Sequence, residues 1–143
     1  MMSAGPKRYK RFIQKLMKQI KVSKNEFFKV DDKHGTSTFT HHFAKNLKAL
    51  IENEYWGLYN MVCGGQTSRL EVAGELLNLL GLSDTVKITT VKSDYFKDIY
   101  FAERAPIERL FNRKLNIRQL NLMQDYPAAF KQYMYQYYIG FLD

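Results

Sequence analysis

The stretch from Asp31 to Leu47, DDKHGTSTFTHHFAKNL, constrains the fold most, because it turns the chain and starts a helix within a few residues. Gly35 supplies the positive φ that a tight turn after Asp31 and Asp32 needs. Thr36, Ser37 and Thr38 follow as short hydroxyl donors, and Thr40 stands where an N-cap would. Phe43, Leu47, Leu50 and Ile51 then recur at helical spacing, which predicts a helix over 41–53 with these four on its buried face. A loop that delivers hydroxyls and amides to a helix N-terminus is a place where an anion can bind. Taken alone, the same residues also make an ordinary capped turn.

Around this hinge the periodicity alternates. Phe12, Ile13, Leu16, Met17 and Ile20 form an apolar stripe with lysines on the other faces, and Pro6 can open that helix, predicted over 7–22. Phe27, Phe28 and Val30 read as a short strand, and Leu58 to Val62 as a second one stopped by Gly64-Gly65. Ser68 and Glu71 stand three apart as a capping box. Leu70, Ala73, Leu77 and Leu80 give the helix that follows a buried face, with Gly81 as its left-handed stop. Val86 to Val91 is a further strand, and 94–109 reads as a loop pinned by aromatics. Leu110 to Leu115 makes a helical turn or two, and a last helix begins near Tyr126 with Pro127 in its first turn. Helices alternating with strands place the chain in the α/β or α+β class.

Its 143 residues fit one domain with a single core. No apolar run approaches the roughly 18 residues of a membrane span, and the basic N-terminus has no apolar run beside it that would act as a signal peptide. The one cysteine, Cys63, makes no internal disulfide, and a cytoplasmic location is the expectation. Between Lys7 and Lys33 ten Lys/Arg face three acids, so +7 of the net +8 sits in the first quarter of the chain. Such a stripe suits nucleic acid, acidic lipid or a phosphorylated ligand, or is simply a solvated helix face. His34, His41 and His42 have no carboxylate or cysteine at ligand spacing, so no metal site is expected.

The order D-x-x-G-T-x-T-x-x-x-x-F-A, carried by Asp32, Gly35, Thr36, Thr38, Phe43 and Ala44, resembles the substrate-domain signature of the dTDP-4-dehydrorhamnose reductases. These are nucleotide-sugar enzymes of the extended short-chain dehydrogenase/reductase class. The likeness runs from about Gly5 to about Tyr138 and continues through GPKRYKRFIQKLM, YWGLYNMVCGGQTSRLEVAGELLNLLGL, ERAPIERLFNRKL and LNLMQDYPAAFKQYM. The chain departs from the pattern at Ser37 (usually proline), His42 (usually aspartate), Ala105 (proline), Ile107 (asparagine) and Tyr126 (tryptophan).

The resemblance implies a fold class of α/β, an α+β-like fragment of four to five helices with a few short strands and no complete Rossmann domain. It implies one substrate-binding domain over 1–143, contacting a nucleotide-linked deoxysugar. Lys7, Phe12, Thr36, Thr38 and Arg104 are the positions that carry over as substrate contacts. Arg104 and Lys7 would meet the diphosphate, a task a guanidinium fork suits because it gives paired, charge-assisted donors. Leu110, Asn112, Lys114 and Leu115 carry over as core and capping residues.

The sequence lacks what a reductase of this class needs for hydride transfer. Its eight glycines include no G-x-G-x-x-G or G-x-x-G-x-x-G to admit a dinucleotide pyrophosphate. None of its ten tyrosines has lysine four residues on, the pair that serves as proton donor and its pKa-lowering neighbour. No catalytic residue and no cofactor is therefore expected in this chain, and NAD(P)H binding falls to the half it lacks. Surface left open by that half invites a homo-oligomer or a partner chain. The alternatives are a nucleic-acid-binding module using the N-terminal Lys/Arg-rich helix, and a non-catalytic interaction subunit.

Overall fold

The computed structural model describes Met2 and residues 12–22, 28–31, 33–92, 95, 98 and 105–138. Its elements run α1 (Phe12–Val22), β1 (Phe28–Asp31), β2 (His34–Gly35), α2 (Thr40–Glu52), β3 (Thr67–Ser68), α3 (Arg69–Leu79), β4 (Ile88–Val91), β5 (Ile107–Glu108), α4 (Arg113–Ile117) and α5 (Tyr126–Tyr137). This is the mixed α/β fold expected, with five helices and short strands among the described residues. The backbone groups into two compact units interleaved along the chain. One holds residues 1–5, 35–66 and 109–141, and the other holds 6–34, 67–108 and the last two residues.

In the unit that contains α1 and α3, β1 and β4 pair in parallel with Phe28 opposite Ile88 and Asp31 opposite Val91. Ile13, Leu16, Met17 and Ile20 are buried on α1 at the spacing the sequence predicts. Leu16 and Ile20 line the same apolar space as Ala73, Leu76 and Leu77 of α3 and Ile88 of β4. The capping box forms as read: Ser68 Oγ accepts from Glu71 N–H at 3.1 Å and Glu71 Oε2 accepts from Ser68 N–H at 2.7 Å. At the other end Gly81 takes φ +66°, and Leu82 N–H donates to Leu77 O at 2.8 Å while Gly81 N–H donates to Asn78 O at 3.1 Å. That is a Schellman stop, reachable without strain because glycine has no Cβ. The buried face of α3 is Val72, Ala73, Leu76 and Leu77; Leu70 and Leu80, expected inside, are half-buried. Strands β3, β2 and β5 form a second small sheet in that order, with His34 N–H donating to Pro106 O at 3.1 Å.

In the unit that contains α2, α4 and α5, the core gathers on Phe39, whose ring is fully buried. Tyr133 of α5 meets it edge-on at 5.8 Å and His42 of α2 at 4.9 Å. Four expectations fail here. Gly35, expected to supply a positive φ for a tight turn, lies in strand β2 and takes none. The buried face of α2 is His42, Asn46 and Leu50, at i, i+4 and i+8, while Leu47 and Ile51 are exposed. Helix α2 is therefore rotated from the face its apolar residues mark, because hydrogen bonds meet both ends of the Asn46 amide and one ring nitrogen of His42 there. The N-cap of α2 is Phe39, which makes no side-chain cap bond; Thr40 is already helical. Leu58 to Val62 is no strand, since no neighbouring strand pairs with it, and Leu58 is 88% exposed.

Helix α4 starts at Arg113 rather than Leu110, and α5 begins at Tyr126 with proline in its first turn as expected. The aromatic loop expected over 94–109 and the first turn of the N-terminal helix lie largely outside the described residues. Among the described residues no helix is long and apolar enough to cross a membrane.

Candidate functional site

The turn that leads into α2 places the hydroxyl-rich residues 35–40 in one short segment, and its hydrogen bonds can be followed residue by residue. Thr36 Oγ1 accepts from the Leu110 backbone N–H at 3.3 Å, which holds the start of the 109–112 segment against the turn. Ser37 O accepts from Cys63 N–H at 2.8 Å. Thr38 O accepts from Met2 N–H at 2.6 Å, and Met2 O accepts from both Thr40 N–H at 2.9 Å and Thr40 Oγ1 at 3.1 Å. Two flanking segments thus engage the backbone of the turn, as buried peptide groups require. The side chain of Thr38 is buried, whereas Thr36 is half-buried and its bond to Leu110 leaves its own O–H proton as a donor.

Below the turn lies a polar layer that apolar periodicity does not show. His42 is 3% exposed and its Nε2 lies 3.0 Å from Gln132 Oε1 of α5, while Nδ1 is buried with no hydrogen-bond partner. Burial holds the imidazole below its ordinary pKa, and Lys45 and His41 act in the same direction; only the Gln132 bond opposes them. His42 is therefore a neutral packing residue. Asn46, fully buried, donates from Nδ2 to Leu120 O at 2.6 Å and accepts at Oδ1 from Leu122 N–H at 2.8 Å. Cys63 is buried beside the turn, and burial pushes its thiol pKa up.

Of the five candidate substrate contacts, the structure brings Thr36 and Thr38 together in this turn. Phe12 opens α1 in the other unit, half-buried, with the Arg69 guanidinium 5.7 Å from its ring centroid. Lys7 and Arg104 lie outside the described residues. Among the residues carried over as core and caps, Leu115 is fully buried, but Leu110 is exposed. Asn112 stands at the N-cap of α4 without making a cap bond. Its amide instead reaches Val62, a role signalled in sequence only by a lone asparagine before a short helix. Among the described residues no three His, Cys, Asp or Glu side chains gather closely enough to hold a metal ion. The turn can offer a hydroxyl donor at Thr36.

Residues 6–139 match the family described as RmlD substrate binding domain. The fold is similar to that of a dTDP-4-dehydrorhamnose reductase from Clostridium acetobutylicum, with a TM-score of 0.82 and 23% identity over 95% of this chain and 46% of that one. It is similar to the Bacillus anthracis reductase solved in complex with NADP, with a TM-score of 0.81 and 18% identity over 94% of this chain and 46% of that one. The corresponding figures for the Yersinia enterocolitica reductase are 0.80, 20%, 98% and 46%. No curated protein matches. At these identities the likeness to the solved structures is one of fold, and this chain spans just under half the length of the reductases.

Proposed function

This chain belongs to the RmlD substrate binding domain family, and on that premise we propose that it is the part of a dTDP-4-dehydrorhamnose reductase-like protein that contacts a nucleotide-linked deoxysugar. The observation that carries the reading is the extent of the family match, which runs from residue 6 to residue 139, nearly the whole chain. Lys7 and Arg104 supply charge to the diphosphate, and Thr36, with a hydroxyl proton free to donate, meets a sugar or phosphate oxygen. Phe12 and Thr38 are the further positions that the family resemblance carries over as substrate contacts. NAD(P)H and the groups that transfer hydride and proton reside on a second body, since this sequence has neither a Gly-rich dinucleotide turn nor a Tyr-x-x-x-Lys pair. Leu47 and Ile51, exposed on α2, support a partner chain or a second copy lying over that helix. The one cysteine, buried and reduced, suits the cytoplasm.

Isothermal titration of the chain with a dTDP-deoxysugar and with dTDP tests this reading. The sugar nucleotide is expected to bind more tightly than the bare nucleotide, and Arg104→Ala to remove most of the affinity. Equal binding of the two ligands, or NADPH oxidation by the chain alone, would overturn it. Binding of mixed-sequence DNA that falls steeply with salt would favour the nucleic-acid reading instead.

A further inference from the structure

The segment after α2 and the short helix α4 build a surface that the proposed sugar-nucleotide role does not use. Arg118 lies over the ring of Tyr55 at 4.6 Å and that of Tyr59 at 5.6 Å, and also donates from Nη1 to the Tyr59 hydroxyl. Lys114 Nζ sits 4.5 Å from the Tyr59 centroid. A Cβ on Gly57 would stand 2.8 Å from that ammonium group, so a glycine there lets Lys114 lie against the backbone. Beside these residues is a cleft of about 240 Å³ lined by Leu58, Asn60, Phe111, Arg113, Lys114 and Ile117. Among the described residues no carboxylate pairs with Arg113, Lys114 or Arg118, and Glu54, close by in sequence, forms no ion pair. The apolar groups stand open as well: Trp56 is 73% exposed, Phe111 68% and Ile117 71%.

We propose that this surface is a docking site for an acidic polypeptide segment of another protein, with an apolar side chain seated in the cleft and flanking carboxylates on Lys114, Arg113 and Arg118. Exposed Trp, Tyr, Phe and Arg are the residue types that anchor protein interfaces. Two of the three cations are held on tyrosine rings before any partner arrives, which lowers the ordering cost of binding. Charge decides between occupants. A second copy docking through the same face would set these cations against themselves, which an isologous interface does not tolerate. A nucleic acid could stack on Trp56 or Phe111, but the rings of Tyr55 and Tyr59 already carry a guanidinium or ammonium group. The cleft between the cations is walled by Leu58 and Ile117, which suit an apolar side chain and give a base no ring to stack on.

Trp56, the one tryptophan of the chain, reports on the site directly. The full chain is titrated with a short synthetic peptide in which Glu and Asp alternate with Leu and Phe, and separately with a peptide of the same pattern carrying Lys and Arg. The acidic peptide is expected to shift Trp56 emission to the blue with saturation and to bind less tightly as salt rises. The double reversal Arg113→Glu/Lys114→Glu should weaken it by about tenfold or more. Leu58→Asp, at a position too exposed to affect folding, should weaken it as well, and both variants are checked by circular dichroism. No saturable shift with the acidic peptide, equal binding of the basic peptide, tighter binding of oligo-dT, or unchanged affinity in Leu58→Asp would each overturn the proposal.

Discussion

Asn112 pairs with Val62 as a neighbouring strand would: its Oδ1 accepts from the Val62 N–H at 3.0 Å and its Nδ2 donates to the Val62 carbonyl at 2.7 Å. Both residues are buried, so the side-chain amide replaces two ladder bonds that the chain otherwise has no partner to make. Asn112→Ala leaves both peptide groups of Val62 unsatisfied and is expected to cost roughly 2–4 kcal/mol. Asn112→Asp keeps the acceptor but turns an oxygen toward a carbonyl, and should be no milder. Urea denaturation checks this, with the midpoint falling at unchanged m.

Helix α3 is held at both ends by local bonds, and the two ends are separable. Ser68→Ala removes the acceptor for Glu71 N–H and is expected to cost about 1 kcal/mol. Gly81→Ala forces a Cβ into the left-handed region at φ +66° and is expected to cost about 1–2 kcal/mol. Nothing lies within 4 Å of the Cβ position at Gly81, so the loss is conformational, not steric. The two substitutions should add within a few tenths of a kcal/mol in thermal unfolding, because they share no partner.

The features legible in the sequence were those whose signal is local. The Ser68/Glu71 box, the Gly81 stop, the α1 stripe and the proline-opened α5 depend on residues a few places apart, and each forms as read. Long-range polar bonds were invisible to periodicity. Asn46 bonds Leu120 and Leu122 across more than seventy residues, and that clamp, together with His42, decides which face of α2 is buried. Phe43, Leu47 and Ile51 predict another face because apolar spacing alone cannot show that a buried amide is satisfied. The same blindness turned Leu58–Val62 into an expected strand, when its end is held by one asparagine. The cation–ring contacts of Lys114 and Arg118 bring together segments more than fifty residues apart and leave no pattern in either.

His42 gives the unit around Phe39 a dependence on pH. Burial holds its folded pKa below the ordinary 6.5, so the unfolded chain takes up a proton first as the pH falls. The stabilisation is complete above pH 6.5 and is lost as the pH drops through that value toward the folded pKa. His42→Gln removes the titrating group. Its melting temperature is expected to change less than that of the natural chain between neutral and mildly acidic pH, whatever its stability at neutral pH. An equally steep acid decline in the variant would assign the effect to other groups.

Cys63 follows Val62 directly, so its thiol reports on the Asn112 clamp. It is buried, burial pushes its pKa up, and its N–H donates to Ser37 O at 2.8 Å. A thiol in that state reacts only when the segment opens, because the reagent needs access and a thiolate. Iodoacetamide labelling of the folded chain is therefore expected to be far slower than that of the urea-unfolded chain. Asn112→Ala should accelerate it under native conditions. If local opening limits the reaction, each 1.4 kcal/mol lost from the clamp raises the labelling rate by about tenfold. Labelling in Gly81→Ala, whose loss falls on α3, should rise only as far as global stability falls. Equal acceleration in the two variants at matched stability would show that the 62–63 segment opens only with the whole fold.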